Sequence, residues 1–248
     1  FDIAMRDLGG ETIVLTGKEM QIGRGETIAD TARVLSRFVD AIMIRILSHE
    51  DLVELARHAS VPVINGLTKV SHPCQLMADV MTFEEHLGSI AGRTVAWVGD
   101  FNNVARSLAE ACVMLGADVR IACPPAYGPG EAELDAIRAL GPGSVQVLEQ
   151  PADAVKDADA VHTDTWTSMG QESEKEVRRQ AFAGYTVTAG LLASAAPGVG
   201  FYHCAPVYRD VEVAAEVVDG PASRVVQQGH NRLHASRGLI AFLMGVRP

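Results

Sequence analysis

"TVAWVGDFNNVARSLAEACVML", residues 94–115, changes its periodicity on either side of a Gly-Asp step. Thr94–Asp100 reads as a short apolar strand that ends in Gly99-Asp100. After it, Val104, Leu108, Ala111 and Leu115 line one face of a helix. A strand that feeds directly into a helix, repeated along a chain, builds parallel sheets covered on both faces. The loop between the two, "GDFNNVARS" (99–107), sits where a dinucleotide loop would sit. It lacks the GxGxxG pattern, so a nicotinamide site has little support. Its two amides, Asn102 and Asn103, suit an amino-acid head group better, or Asn102 simply caps the helix.

The same alternation extends in both directions. Upstream, "TIVL" (Thr12–Leu15) reads as a strand, and Ile28, Ala32, Leu35 and Val39 form a helical face from Thr27. "AIMIRIL" (Ala41–Leu47) is a short buried strand, and Ser48 with Asp51 fits a capping box. "VPVIN" (Val61–Asn65) is the next strand, followed by a helix from His72 to about His86. Downstream, "DVRIAC", "SVQVLE" and "DAVHTD" are strands with helical pieces between them, and "NRLHASRGLIAFLMG" is one amphipathic helix. The break near Ser89–Arg93 divides the chain into two α/β lobes, with ligands expected between them at the carboxyl ends of strands.

Composition narrows the partners. Of 248 residues, 48% are hydrophobic and 21% charged, a globular rather than disordered balance. A net charge of -10, from 21 basic and 31 acidic residues, argues against a nucleic-acid face. A few local arginines can still serve a small anion. No apolar run reaches membrane-spanning length. "FDIAMRDLGG" is no signal peptide and has no initiator methionine, so the sequence reads as starting partway through a protein. Cys74, Cys112, Cys123 and Cys204 are few and unevenly spaced, as in a reduced cytosolic protein.

Four stretches carry chemistry, each where a strand or loop meets a helix. In "VSHPCQLMAD" (70–79), His72 and Gln75 lie at a helix start, where free N–H groups favour an anion or a polarised carbonyl. His72 could donate to a developing oxyanion, or merely cap the helix with Pro73 in its first turn. Arg45 is a charge in an apolar strand, expected to be buried and to need a partner or a ligand. The Asn102–Asn103 loop is the third. The fourth pairs "DTWTSMG" (164–170) with "FYHCAPVYRD" (201–210). His203 and Cys204 are neighbours on an extended segment and point to opposite faces, so they are no simple base and nucleophile. Zinc held by His72, Cys74, His203 and Cys204 would fit no structural zinc spacing.

Taken together, "GRGETIADTARVLSRFVDAIMIR", "PVINGLTKVSHPCQLMADVMT", "WVGDFNN", "DTWTSMGQE", His203-Cys204 with Pro206, and "NRLHA" span nearly the whole chain. In this order they resemble the aspartate/ornithine carbamoyltransferase family, and the Ser-Met-Gly turn resembles its ornithine branch. The resemblance implies an α/β fold of two lobes, each a parallel sheet flanked by helices. Residues 1–88 would form a carbamoyl phosphate-binding domain, completed by a C-terminal helix (231–248) that returns to it. Residues 89–230 would form the ornithine-binding domain.

The resemblance also implies a reaction: carbamoyl phosphate and L-ornithine give L-citrulline and phosphate, in cytoplasmic arginine biosynthesis, with no metal or organic cofactor. Arg45, His72 and Cys204 would be catalytic. Gln21, Arg45, His72, Pro73, Cys74, Gln75, Cys204, Ala205 and Arg232 would bind carbamoyl phosphate. Asn103, Asp164, Ser168 and Met169 would bind ornithine. Gln21 would reach a neighbouring subunit's site, which implies a homotrimer with shared sites. No nucleic acid or membrane partner is implied. Two departures stand out. The family's Ser-Thr-Arg-Thr phosphate loop would lie upstream of Phe1, so the chain as it stands should be nearly inactive. "HCAPVYRD" also differs from the family's usual run after His-Cys. A sibling transferase for another amine, or a non-catalytic binding subunit, are the competing readings.

Overall fold

The computed structural model describes residues 1–17, 25–168 and 170–246. It divides into two compact units, residues 1–77 with 232–248, and residues 78–231. The first carries helices α1 (Asp2–Asp7), α2 (Ile28–Leu35) and α3 (His49–His58), strands β1 (Ile42–Arg45) and β2 (Val63–Leu67), and the start of α4 (Pro73–Leu87). The second holds the rest of α4, then β3 (Thr94–Val98), α5 (Asn103–Met114), β4 (Asp118–Ala122), α6 (Glu131–Arg138) and β5 (Ser144–Leu148). It continues with α7 (Pro151–Val155), β6 (Ala160–Thr163), α8 (Lys175–Ala181), α9 (Ala189–Leu192), β7 (Gly200–His203) and α10 (Ala215–Val218). The final helix, α11 (Val225–Leu243), begins in the second unit and ends in the first.

In the first unit β1 and β2 pair in parallel, Ile42 opposite Val63, with the register shifting between Ile44 and Arg45. One cluster groups Ala32, Ile42 and Leu55 with Ile28 and Val63, joining the sheet to α2 and α3. Ile64 belongs to another cluster, with Ala4, Ile240, Cys74 and Leu233. Period-2 alternation along β2 sends Val63 and Ile64 to opposite faces, so both faces of this small sheet are covered. The helix starts follow local chemistry. Thr27 and Ser48 accept the N–H of Asp30 and Asp51, each at 3.1 Å.

In the second unit five parallel strands run in the order β5-β4-β3-β6-β7. The chain winds outward from β3 through β4 to β5, then returns to β6 on the other side of β3. The order therefore reverses between β3 and β6, where open α/β sheets place their ligands. Ala96, Val98, Val161 and Phe201 bury one face beside Trp166, Phe182 and Val217. Val95, Trp97 and Ile121, equally buried, alternate onto the other face.

One sequence expectation needs correction. Thr12–Leu15 is not a strand. It forms no regular structure, and Ile13 and Val14 are 67% and 70% exposed. Among the described residues the apolar run pairs with no strand, and propensity alone does not order it. Conversely "GFYH" forms β7 at the sheet edge, paired with β6 from Ala160↔Gly200 to Thr163↔His203. Tertiary pairing orders a segment whose sequence reads only as extended.

The contrast is measurable. Ile121, fully buried in β4, should cost about 2–5 kcal/mol when changed to alanine. Ile13→Ala should fall within about 0.5 kcal/mol of the parent. Urea unfolding of both variants checks this, and equal losses would return Thr12–Leu15 to the core.

Candidate active site

The first unit gathers its candidate groups where the β2–α4 loop meets α4. The loop is tied by the Thr68 hydroxyl, which accepts the N–H of Val70 and of Ser71, each at 3.2 Å. Asn65 donates to the Ser71 hydroxyl at 2.8 Å. His72 stands just before Pro73, the first residue of α4, and its carbonyl accepts the Gln75 N–H at 3.1 Å. Proline suits that position because its missing N–H would have no helical partner there. His72 and Gln75 are both buried.

Burial, then the charges of Arg232 and Arg45, lowers the His72 pKa from 6.5 to about 4. The ring is therefore a neutral imidazole at physiological pH, able to donate an N–H. Cys74 donates its thiol to the Asn65 carbonyl at 3.2 Å, and burial pushes that thiol up to about 11. It is a hydrogen-bond donor, not a thiolate nucleophile.

Arg45 departs from expectation: it is exposed, not buried. It is the last residue of β1, past the register shift and opposite Leu67. There its side chain escapes the two covering helix layers. Arg232 on α11 is exposed as well. Two solvent-reachable cations thus act on one buried neutral imidazole, an arrangement suited to an anion with a carbonyl attached. Gln21 and Met169 lie outside the described residues.

The second unit assembles its groups at the carboxyl ends of β3, β6 and β7. Asn102 caps α5, its side-chain oxygen accepting from Val104 N at 2.9 Å and Ala105 N at 3.1 Å. Its amide nitrogen donates to Asp164 Oδ2 at 2.8 Å. Cys204 donates its thiol to Asp164 Oδ1 at 3.2 Å. Asp164 is buried and Cys204 half-buried. Ser168 is tied to Gln171, its N–H donating to Gln171 Oε1 at 3.0 Å. Asn103 opens α5, one residue beyond the cap. So the structure joins Asp164 to Cys204, and Asn102, which the sequence offers either to an amino-acid head group or as a cap, is both the cap of α5 and a partner of Asp164.

Sequence reasoning missed the frame behind these loops. Arg178 on α8 donates to Asp100 Oδ2 and to the Trp166 carbonyl, both at 3.0 Å, and lies over the Tyr127 ring. Burial pushes the Asp100 carboxyl up, and Arg178 draws it back. The Gly-Asp ending of β3 was the available signal, but nothing local marks Arg178 as its partner.

The donor atoms of Asp164, His203 and Cys204 lie within 4.8 Å of one another. His203 Nδ1 accepts the Ala205 N–H at 2.9 Å, and Nε2 faces Glu212 Oε1 at 3.3 Å. The imidazole therefore has no lone pair free for a cation, which leaves two donors rather than three.

This geometry meets its relatives in two family models. The aspartate/ornithine carbamoyltransferase carbamoyl-P binding domain matches residues 1–85, and the Asp/Orn binding domain matches residues 91–243. The chain belongs to the aspartate/ornithine carbamoyltransferase family. It is 55% identical over 245 residues to an ornithine carbamoyltransferase of Rhodopseudomonas palustris (strain BisA53), covering 99% of this chain and 78% of the relative. Against the ornithine carbamoyltransferase of Nitrobacter winogradskyi identity is also 55%, over 99% of this chain and 79% of the relative. The solved ornithine carbamoyltransferase from Pyrococcus furiosus superposes with a TM-score of 0.94 at 49% identity, covering 100% of this chain and 80% of that one.

The depressed His72 gives a pH signature. As pH falls from 6.5 toward 4, the unfolded chain takes up this proton before the folded one does. Stability should therefore drop across that window and level off below it. His162, lowered to about 3 by burial, adds a similar slope that does not depend on His72. Urea unfolding of the parent and His72→Asn at several pH values should show a shallower acid slope in the variant. Parallel slopes would mean that His72 titrates normally.

Proposed function

We propose that this protein transfers the carbamoyl group of carbamoyl phosphate to the δ-amino group of L-ornithine, giving L-citrulline and phosphate. The observation that carries the reading is the neutral, buried His72 at the start of α4, under the charges of Arg232 and Arg45. A carbamoyl phosphate needs cations for its phosphate and a neutral N–H donor for its carbonyl oxygen. The names of the relatives support the same activity.

In this reading Arg45 and Arg232 take the phosphate. His72, with Arg45, stabilises the oxyanion that forms when the amine attacks the carbonyl carbon. Gln75, Pro73 and Cys74 shape the turn around the carbamoyl group, and the backbone at Cys204 and Ala205 is offered to its amine. Asp164 receives the cationic amino acid, helped by Asn103 and the Ser168–Met169 turn. Attack forms the C–N bond, collapse of the tetrahedral species breaks the C–O bond to phosphate, and the leaving phosphate carries off the amine proton. The chemistry calls for no metal or organic cofactor. Arginine biosynthesis in the cytoplasm is the setting we assign. Among the described residues no helix is long and apolar enough to cross a membrane.

Two measurements test the assignment. In the full-length chain Arg45→Ala should lower turnover by roughly 100-fold or more, because a charge-assisted donor to the oxyanion is lost. Activity within threefold of the parent would remove Arg45 from the mechanism. A panel of ornithine, lysine, putrescine, aspartate and N-acetylornithine should favour ornithine, since a site built around a charged group rejects analogues that leave it unpaired. Preference for putrescine or N-acetylornithine would move the assignment to a sibling transferase.

We further propose a homotrimer in which Gln21 serves a neighbour's site. Mixing the inactive variants Gln21→Ala and Arg45→Ala under subunit exchange should then restore activity, because some shared sites carry neither lesion. Demonstrated exchange without rescue would end the shared-site idea.

A further inference from the structure

Cys204 and Ala205 sit on a turn whose shape nothing in their own side chains enforces. Ala205 has φ +56°, in the left-handed region. A residue with a Cβ stays there only when its surroundings hold it. The surroundings here are polar and buried. The His203 N–H donates to Gln228 Oε1 at 2.9 Å, and Gln228 donates in turn to Asp79 Oδ1 at 2.7 Å. The Ala205 N–H donates to His203 Nδ1 at 2.9 Å. On the far side of the ring, Nε2 lies 3.3 Å from Glu212 Oε1. The same carboxyl oxygen accepts the Tyr208 N–H at 2.6 Å. His203 and Glu212 side chains are both 0% exposed.

These contacts define one protonation state of the ring. Nδ1 can accept from Ala205 only through its lone pair, so it carries no proton. A neutral imidazole must then carry its proton on Nε2, the nitrogen that faces the Glu212 carboxyl. The Ala205 N–H selects the tautomer by taking the Nδ1 lone pair, and that bond fixes the turn, while Nε2 lies beside the Glu212 carboxyl without hydrogen-bonding to it. Just beyond the ring, Cys204 reaches Asp164 at 3.2 Å. A turn that relaxed would move that thiol and the Ala205 backbone together.

We propose that His203 is a positioning residue: anchored through its own N–H by Gln228 and accepting on Nδ1, it pins the Ala205 N–H and so presents Cys204 and the Ala205 backbone to the substrates. The role rests on the carbamoyl-transfer reading of the same turn. His203 itself touches no reacting atom. Its function is to offer a lone pair at one point in space, and another side chain with an acceptor at that point can replace it.

The test uses the full-length chain and two substitutions. In His203→Asn, Oδ1 falls where Nδ1 was, and Asn side chains readily accept a backbone N–H two residues on. His203→Gln carries its polar end out toward Glu212 and leaves the Ala205 N–H without its acceptor. Ornithine carbamoylation by His203→Asn should stay within about threefold of the parent, because the turn keeps its bond. In His203→Gln it should fall by roughly 100-fold in kcat/KM, the scale of a small misplacement at a reacting centre. Alkylation of Cys204 by iodoacetamide, followed by peptide mass mapping, should speed up in His203→Gln only.

Nitrogen-15 NMR of the histidine-labelled parent, with the His203 signal assigned by its loss in His203→Asn, should show Nε2 protonated and Nδ1 bare. A proton on Nδ1, or equal losses in both variants, overturns the proposal. If the parent prefers another amine, the function reading fails by itself. The NMR and alkylation results still decide what His203 does.

Discussion

Asn102 is the joint on which the second unit's site depends. One side chain caps α5 through Val104 and Ala105 and holds Asp164, the residue just past β6. It can do both because the strand order reverses between β3 and β6, so the loops that leave these neighbouring strands diverge around a shared opening. The cap needs the oxygen and the carboxylate needs the nitrogen, which leaves an amide as the side chain that satisfies both. Aspartate would cap equally well but would set a second negative charge against Asp164. Behind this joint, Arg178 ties the same two loops together through Asp100 and the Trp166 carbonyl. Its guanidinium supplies several donors in fixed directions, so one residue can hold two loops at once.

The first unit solves a different electrostatic problem. Burial penalises an imidazolium at His72, and the charges of Arg232 and Arg45 repel it further. Both effects favour the neutral ring, so the geometry that collects an anion also readies the neutral donor. Exposure of Arg45 and Arg232 belongs to the same economy of design. Guanidinium groups left in water carry no desolvation cost until an anion arrives to pair with them. Cys74 stays inert in this field because its thiol is engaged with the Asn65 carbonyl and held protonated by burial.

Within the second unit, α4 and α11 meet along a polar seam. Gln228 bonds Asp79, and Asn231 bonds Thr82 and Glu85 at 2.9 and 2.7 Å. Gln228 and Asn231 are buried, and each is satisfied by a specific partner, which sets the register between the two helices more tightly than an apolar contact would. The seam reaches the site through Gln228, which holds the His203 backbone. Packing, polar satisfaction and site geometry are therefore linked by one side chain.

Much of this was legible in the sequence. The alternation of strand and helix gave the α/β class, because period 2 and period 3.6 are local properties of a chain. The helix starts at Thr27, Ser48 and Asn102 were equally local, since a cap and the N–H it serves lie within three residues. The resemblance supplied His72, Arg45, Asp164 and Cys204 as a set. Tertiary structure alone decided the rest. It left Thr12–Leu15 unpaired with any described strand, made an edge strand of Gly200–His203, and turned Arg45 outward. It also chose the partners of Asp100 and His203, which lie 78 residues away at Arg178 and 25 away at Gln228. Sequence records which groups can form hydrogen bonds. Only the fold brings a particular donor to a particular acceptor, because that pairing depends on which strands become neighbours.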